Sequence, residues 1–191
     1  MSPSATSLSA SFFSALPSAA GFCSVHRLCV LCSDCLSLIT FSQNSLFSSF
    51  AMDEGQLKDL GVTHVLNAAH GNKLYHVQTG PDYYKESGII YHGVPAMDMF
   101  TFKIDRYFDE ACDFIGKAVG TKKTGKLNNK ILVHCKEGVS RSATLVLAYL
   151  VRDQEMTLKG AVSLVRSKRE ILPNRGFLQQ LIDYSEKFGR A

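Results

Sequence analysis

The feature that most constrains this chain is a change of period within residues 130–151. Ile131-Leu132-Val133 is a short apolar run of strand type, while Ser142 to Val151 is apolar on nearly every side, as a buried helix is. Between them lies only Cys135-Lys136-Glu137-Gly138-Val139-Ser140-Arg141. A buried strand that passes through a tight loop into a buried helix requires a layered α/β fold: a small twisted, largely parallel sheet flanked by helices, with the loop at a strand's C-terminal end.

A loop in that place aims successive backbone N–H groups into one concavity, and the helix adds the positive end of its dipole. That geometry holds a tetrahedral dianion, and the residue types suit the task. Thiolate is the reactive form of cysteine, and a helix N-terminus with a nearby cation favours it, which makes Cys135 a nucleophile rather than a small apolar filler. Arg141 presents a planar fork that grips two oxygens of a phosphoryl group. Gly138 permits a turn that a Cβ obstructs. The Ser142 hydroxyl follows, placed to donate to the sulfur and make it a better leaving group. His134, just before the nucleophile, suits bracing the loop by hydrogen bonds better than taking a proton. Lys136, Glu137, Gly138, Val139, Ser140 and Arg141 form the substrate-binding loop.

Val133 to Leu150, VHCKEGVSRSATLVLAYL, resembles the signature loop of the dual-specificity protein phosphatases, within the cysteine-dependent protein-tyrosine-phosphatase superfamily. The small atypical members, which lack a separate kinase-docking domain, are the most similar. The resemblance runs from about Ala51 to Phe188, through THVLNAAHG (Thr63–Gly71), TGPDYY (Thr79–Tyr84), YHGVPAMD (Tyr91–Asp98) and LPNRGFLQQL (Leu172–Leu181). It implies a protein-tyrosine-phosphatase-like fold, hydrolysis of phosphotyrosine and phosphoserine/phosphothreonine on proteins through a cysteinyl-phosphate, and no cofactor or metal. Phosphorylated proteins, mitogen-activated protein kinases among them, are the partners it implies. No nucleic-acid partner is expected, because the net charge of +4 is mild and the lysines and arginines are scattered.

The chain divides at residue 50. Met1 to Phe50 holds 14 serines and only two charged residues, Arg27 and Asp34, so residues 51–191 carry the whole net charge. This first part reads as a Ser-rich, low-complexity, disordered segment. It has neither the basic start of a secretory signal nor the arginines of a transit peptide. Cys29-x2-Cys32-x2-Cys35, near His26, has metal-like spacing, but no second Cys/His pair follows at finger spacing. Four of six cysteines fall in this segment, leaving Cys112 and Cys135 in the domain, and a nucleophile cannot sit in a disulfide. A reducing compartment follows, cytoplasmic and/or nuclear. No uncharged apolar run reaches 18 residues, so no membrane span is expected. Relatives open with a short strand and a Gly-Asp or Gly-Asn turn before the helix that starts here near Ala51. That strand is not recognisable. Met1 to Thr40 reads as a dispensable tail, and Ser45 to Phe50 is left as a candidate replacement strand.

Within residues 51–191, a charged helix is expected over Met52–Leu60, ended by Gly61. Strands are expected at Thr63–Asn67 and Ile89–Val94. Tyr83 and Tyr84, on a short turn, either line the substrate cleft or pack on the sheet. Pro95 to Thr101 follows a strand end and sets one carboxylate, Asp98, among Met97, Met99 and Phe100. From the residues alone Asp98 is more often a cap or a solvated residue than a general acid, although burial beside these apolar residues would raise its pKa and keep a proton available. The resemblance implies the acid, since Asp98 matches the family's acid loop, although Met97 stands where relatives often carry a polar residue.

Ile104 to Val119 has a helical apolar stripe with Cys112 inside it, and Thr121 to Lys130 is a polar connector with four lysines. Thr157 caps a helix over Leu158–Lys168, and Arg166, Lys168 and Arg169 form either a solvated face or a phosphopeptide contact. Asn174 starts the last helix, and the resemblance places it near the signature loop as a brace. Two other classes stay open: a catalytically impaired phosphoprotein-binding product, and a phosphatase for a non-protein phosphate such as a phosphoinositide or RNA. Glu137 at the loop rim argues against polyanions.

Overall fold

The computed structural model describes residues 29–32, 50–120 and 129–190. Its sheet has four strands in the order β1 (Cys29–Cys32), β4 (Lys130–His134), β2 (Val62–Asn67) and β3 (Ile90–Gly93). β2 runs parallel to both β3 and β4, and β1 closes the far edge antiparallel. The helices are α1 (Glu54–Asp59), α2 (Phe108–Val119, entered through a 3-10 turn at Ile104–Tyr107), α3 (Arg141–Arg152), α4 (Leu158–Lys168) and α5 (Arg175–Glu186).

Both faces of the sheet are covered, and strand alternation sorts the side chains between them. Ile131, Val133 and Leu66 enter the large core, where α2, α3, α4 and α5 supply Phe108, Ile115, Leu145, Leu147, Val165 and Phe177. Leu132 and Val65 face the other way, into a smaller core with Phe50, Ala51, Leu57, Tyr84 and Ile89. Tyr84 is fully buried there, stacked on Tyr91 and donating to the Ala51 carbonyl at 2.6 Å, so it packs on the sheet and does not line a cleft. Phe50, one residue before the boundary expected at Ala51, is buried with it.

α3 is the central element, with Arg141 to Val151 all buried; the apolar run Leu145 to Val151 requires this, and Arg141, Ser142 and Thr144 are buried with it. Helix ends follow their capping residues. Asp53, Thr157 and Asn174 each accept an N–H from the first turn of the helix they precede, and Gly61 takes positive φ after α1.

One correction concerns the amino-terminal segment. Cys29–Cys32, placed in the low-complexity tail, is a strand, with Cys29 paired to Val133 and Cys32 to Lys130. The physical reason is tertiary: without it, β4, the strand that leads into the Cys135 loop, has an open edge. The remainder of the segment, including Ser45 to Ser49, lies outside the described residues, as do three of the four connector lysines. The fourth, Lys130, donates to the Leu60 carbonyl at 2.6 Å. Among the described residues no helix is long and apolar enough to cross a membrane.

Candidate active site

β4 ends at His134, α3 begins at Arg141, and Cys135 is buried at the start of the loop between them with its thiol free. Gly138 turns the chain with φ 73°, a region that favours glycine, and its N–H comes back to the Cys135 sulfur at 3.2 Å. The Ser142 hydroxyl stands 3.3 Å from the same sulfur. Two groups able to donate therefore meet Sγ.

Arg141 is buried, and its guanidinium is fixed from behind. Nη1 donates to the carbonyls of Tyr75, at 2.9 Å, and Ala96, at 3.2 Å. Its Nε lies 3.8 Å from Asp98 Oδ2. The sheet's strand-end loops thus set the fork's direction, and its charge joins the acid loop to the catalytic loop.

Asp98 is where the sequence-based picture needs correcting. Met99 and Phe100 are exposed, so no apolar pocket encloses the carboxylate. It is held by polar donors: Oδ1 accepts from the Ser140 hydroxyl at 2.7 Å and from Asn174 Nδ2 at 2.8 Å. Ser140 occupies the N-cap position of α3, yet its side chain makes no cap bond there; it serves the acid loop, and accepts the Asn174 N–H at 3.2 Å. Asn174 both caps α5 and braces Asp98.

His134 is buried beneath the loop, with Nδ1 3.4 Å from the Cys135 carbonyl. Burial pushes its pKa down to about 4, against a smaller upward effect of the bond to Cys135, so the ring is neutral at pH 7. With its proton on Nδ1, the neutral ring donates to that carbonyl. Lys136 donates to the Leu74 carbonyl, Glu137 is exposed, and Val139 accepts the Leu172 N–H at 2.9 Å. Among the described residues no three His, Cys, Asp or Glu side chains come together as a metal-binding set.

Three residues at the site escape a sequence-based reading. Arg169, grouped with Arg166 and Lys168 as a basic face, is buried and donates to the Gly138 carbonyl, while the other two are exposed. A signal exists: Leu158, Ala161, Val165 and Arg169 share helical spacing, and the first three are buried. Gly176 has no local signal; a Cβ there meets the Phe100 carbonyl oxygen at 1.9 Å. Tyr75 contributes only its backbone, which no sequence pattern reports.

The comparisons with known proteins fit this geometry. The family described as dual specificity phosphatase, catalytic domain, matches residues 46–187. Human DUSP28 is similar in structure, with 30% identity, coverage of 74% of this chain and 86% of that chain, and a TM-score of 0.59. A mouse putative dual specificity phosphatase complexed with zinc tungstate is 27% identical over 74% of this chain and 80% of that one, with a TM-score of 0.58. PTPMT1, solved in complex with PI(5)P, is 21% identical with a TM-score of 0.57, covers 78% of this chain and 90% of its own, and bears on the fold alone. The matched span takes in the whole passage from α1 to α5, with the thiol, the guanidinium and the tethered carboxylate inside it, and the chain belongs to the dual specificity phosphatase family.

Proposed function

We propose that this phosphatase domain acts on proteins, removing phosphate from phosphotyrosine and from phosphoserine or phosphothreonine through a cysteinyl-phosphate. The observation that carries this reading is the direct tether of Asp98 to the catalytic loop, which brings a carboxylate and the cradled Cys135 sulfur into one site. In the first step the Cys135 thiolate attacks phosphorus and the bond to the leaving oxygen breaks. Asp98 gives its proton to that oxygen. Because Oδ1 is occupied by Ser140 and Asn174, the transferable proton belongs on Oδ2. Arg141 and the loop N–H groups hold the phosphoryl oxygens as charge spreads over them. In the second step water attacks phosphorus, its proton passes to Asp98, and the P–S bond breaks. The Ser142 hydroxyl, 3.3 Å away, hydrogen-bonds to the departing sulfur.

Protein rather than polyanionic substrates are favoured by the loop's composition. Glu137 is exposed at the rim, where its carboxylate repels a polyanion, and the Lys136 ammonium is turned toward the Leu74 carbonyl. Mitogen-activated protein kinases fall within the substrate class. Free, buried Cys112 and Cys135 suit a reducing compartment, cytoplasmic or nuclear.

The test is turnover by the purified chain of a chromogenic phosphate ester, phosphotyrosyl and phosphothreonyl peptides, a soluble phosphoinositide and a 5′-phosphorylated RNA. Turnover of the ester and both peptides is expected. Higher kcat/KM for the phosphoinositide or the RNA overturns the protein-substrate reading. Phosphopeptide binding by folded protein without turnover of any compound identifies a binding module instead.

A further inference from the structure

The residues after α4 touch the catalytic loop at successive positions. Arg169 Nη1 donates to the Gly138 carbonyl, the Leu172 N–H to the Val139 carbonyl at 2.9 Å, and the Asn174 N–H to the Ser140 hydroxyl at 3.2 Å. A trans peptide is planar, so the C=O of one residue and the N–H of the next point to opposite sides. Drawing the Gly138 carbonyl toward Arg169 turns the Val139 N–H away from it. Drawing the Val139 carbonyl toward Leu172 does the same for the Ser140 N–H.

These two N–H groups differ from the Gly138 N–H, which is already committed to the Cys135 sulfur. Among the described residues neither the Val139 nor the Ser140 N–H has an acceptor. Buried backbone donors are almost always completed, by protein, by ordered water or by a ligand, and two neighbouring ones without a protein acceptor are available to a bound oxyanion. Arg169 is itself only 7% exposed. A guanidinium is withdrawn from water to this extent at a cost, which a merely decorative contact does not offset.

We propose that Arg169 is a positioning residue for the phosphoryl group. It holds the Gly138–Val139 peptide so that the Val139 N–H faces a phosphoryl oxygen, and Leu172 holds the next peptide in the same sense. Arg169 touches no reacting atom, and its effect passes through the peptide it orients. This rests on the reading of residues 135–141 as a phosphoryl cradle, and the test separates the two.

Turnover of a chromogenic ester by the wild-type chain decides the phosphatase reading. Tungstate binding, measured as the rise in Tm on adding the oxyanion, reads the cradle without turnover. Arg169→Met keeps a long apolar stem and removes the donor, whereas Arg169→Lys keeps the charge and loses the fork. Misaiming an oxyanion donor costs less than the ~10²–10³-fold seen when one is deleted. Arg169→Met is therefore expected to lose roughly 10- to 100-fold in kcat/KM. Tungstate affinity falls in parallel, and Arg169→Lys, which loses the fork, recovers only part of both and stays measurably below wild type. A folded Arg169→Met protein with lower Tm but unaltered kcat/KM and tungstate response overturns the proposal, because it shows a brace for stability only. Where Arg169→Met does not fold, Arg169→Lys decides alone. Weaker tungstate binding at unaltered KM supports the positioning role, and wild-type tungstate binding with a lowered Tm overturns it. A wild-type chain without turnover that nevertheless binds tungstate, and loses that binding in Arg169→Met, removes the phosphatase reading and keeps this one.

Discussion

Residues 135–141 and residues 95–101 meet at the hydrogen bond from Ser140 to Asp98, but they are held there by different means. In residues 135–141, Cys135, Gly138, Ser140 and Arg141 are buried, the Gly138 N–H and the Ser142 hydroxyl meet the Cys135 sulfur, and the Arg141 guanidinium donates to two backbone carbonyls. In the acid loop Met99 is 50% exposed and Phe100 72%, and the carboxylate is kept in place by side chains 42 and 76 residues away. The first loop is shaped by the strand and helix that flank it. The second borrows its position from the first loop and from α5. A packed loop and a tethered loop fail differently, and substitutions can show the difference.

The largest effect is expected at the packed loop. Cys135→Ser removes the nucleophile and leaves the cradle, so turnover should fall to background while a phosphopeptide still binds through the loop N–H groups and Arg141. Single-turnover assays and calorimetry check the two halves separately. Residual rate within about tenfold of wild type would sink the nucleophile assignment, because general acid–base help alone contributes only ~10²–10⁴.

At the tethered loop the loss should depend on the substrate. Asp98→Asn is expected to slow hydrolysis of phosphotyrosyl peptide by about 10²–10⁴. An activated ester, whose leaving group hardly needs a proton, should suffer far less. Equal slowing of both shows that Asp98 only supports the loop.

What could be read in advance follows the same division. Cys135, Arg141, Ser142 and His134 lie within one strand–loop–helix passage, so their placement follows from a local change of period. The expected strands, helices and caps Thr157 and Asn174 are local in the same way. Asp98 stood out only by resemblance, and its polar setting was illegible because Ser140 and Asn174 reach it through the fold. Cys29–Cys32 was illegible for a related reason. A four-residue apolar run inside a Ser-rich segment has no local mark of a strand; what makes it one is the open edge of β4. Arg169 was misjudged because long basic side chains are usually solvated, although its spacing from the buried stripe of α4, which it directly follows, was available as a signal.

Acid offers a way to loosen the packed loop without mutation. His134 has a folded-state pKa of about 4, pushed down chiefly by burial. Above the ordinary value of ~6.5 it is neutral whether folded or unfolded, and contributes no pH dependence. As pH falls below ~6.5 the unfolded chain takes up the proton and the folded chain does not, so stability declines until the folded pKa is reached. The window from 6.5 down to about 4 corresponds to about 3 kcal/mol. His64 and His92, also lowered by burial, act in the same direction. Denaturant titrations across this range should show the decline, and His134→Gln should flatten it. An unaltered slope in that variant assigns the acid sensitivity elsewhere.

The smallest effect expected is also the sharpest test of the tether. A Cβ on Gly176 would lie 1.9 Å from the Phe100 carbonyl oxygen, 2.6 Å from its carbonyl carbon and 2.8 Å from its Cα. All three are backbone atoms, so no side chain can swing aside; the acid loop itself has to move. Phe100 is two residues from Asp98, and Asn174, two residues before Gly176, holds that carboxylate at 2.8 Å. Gly176→Ala therefore separates the two loops where they are joined, and a shift of about 1 Å costs up to ~10²-fold in rate. A loss of roughly 10- to 100-fold is expected with phosphotyrosyl peptide and a smaller one with an activated ester, the signature of a displaced acid. Stability should hold, since the displaced loop is exposed and Ala in place of Gly favours a helix by about 0.5–1 kcal/mol. Combining Gly176→Ala with Asp98→Asn should add little to Asp98→Asn alone, because both remove the same proton donor. If the two losses multiply, Gly176 acts on the catalytic loop, and the acid loop is not the independent, tethered element described above.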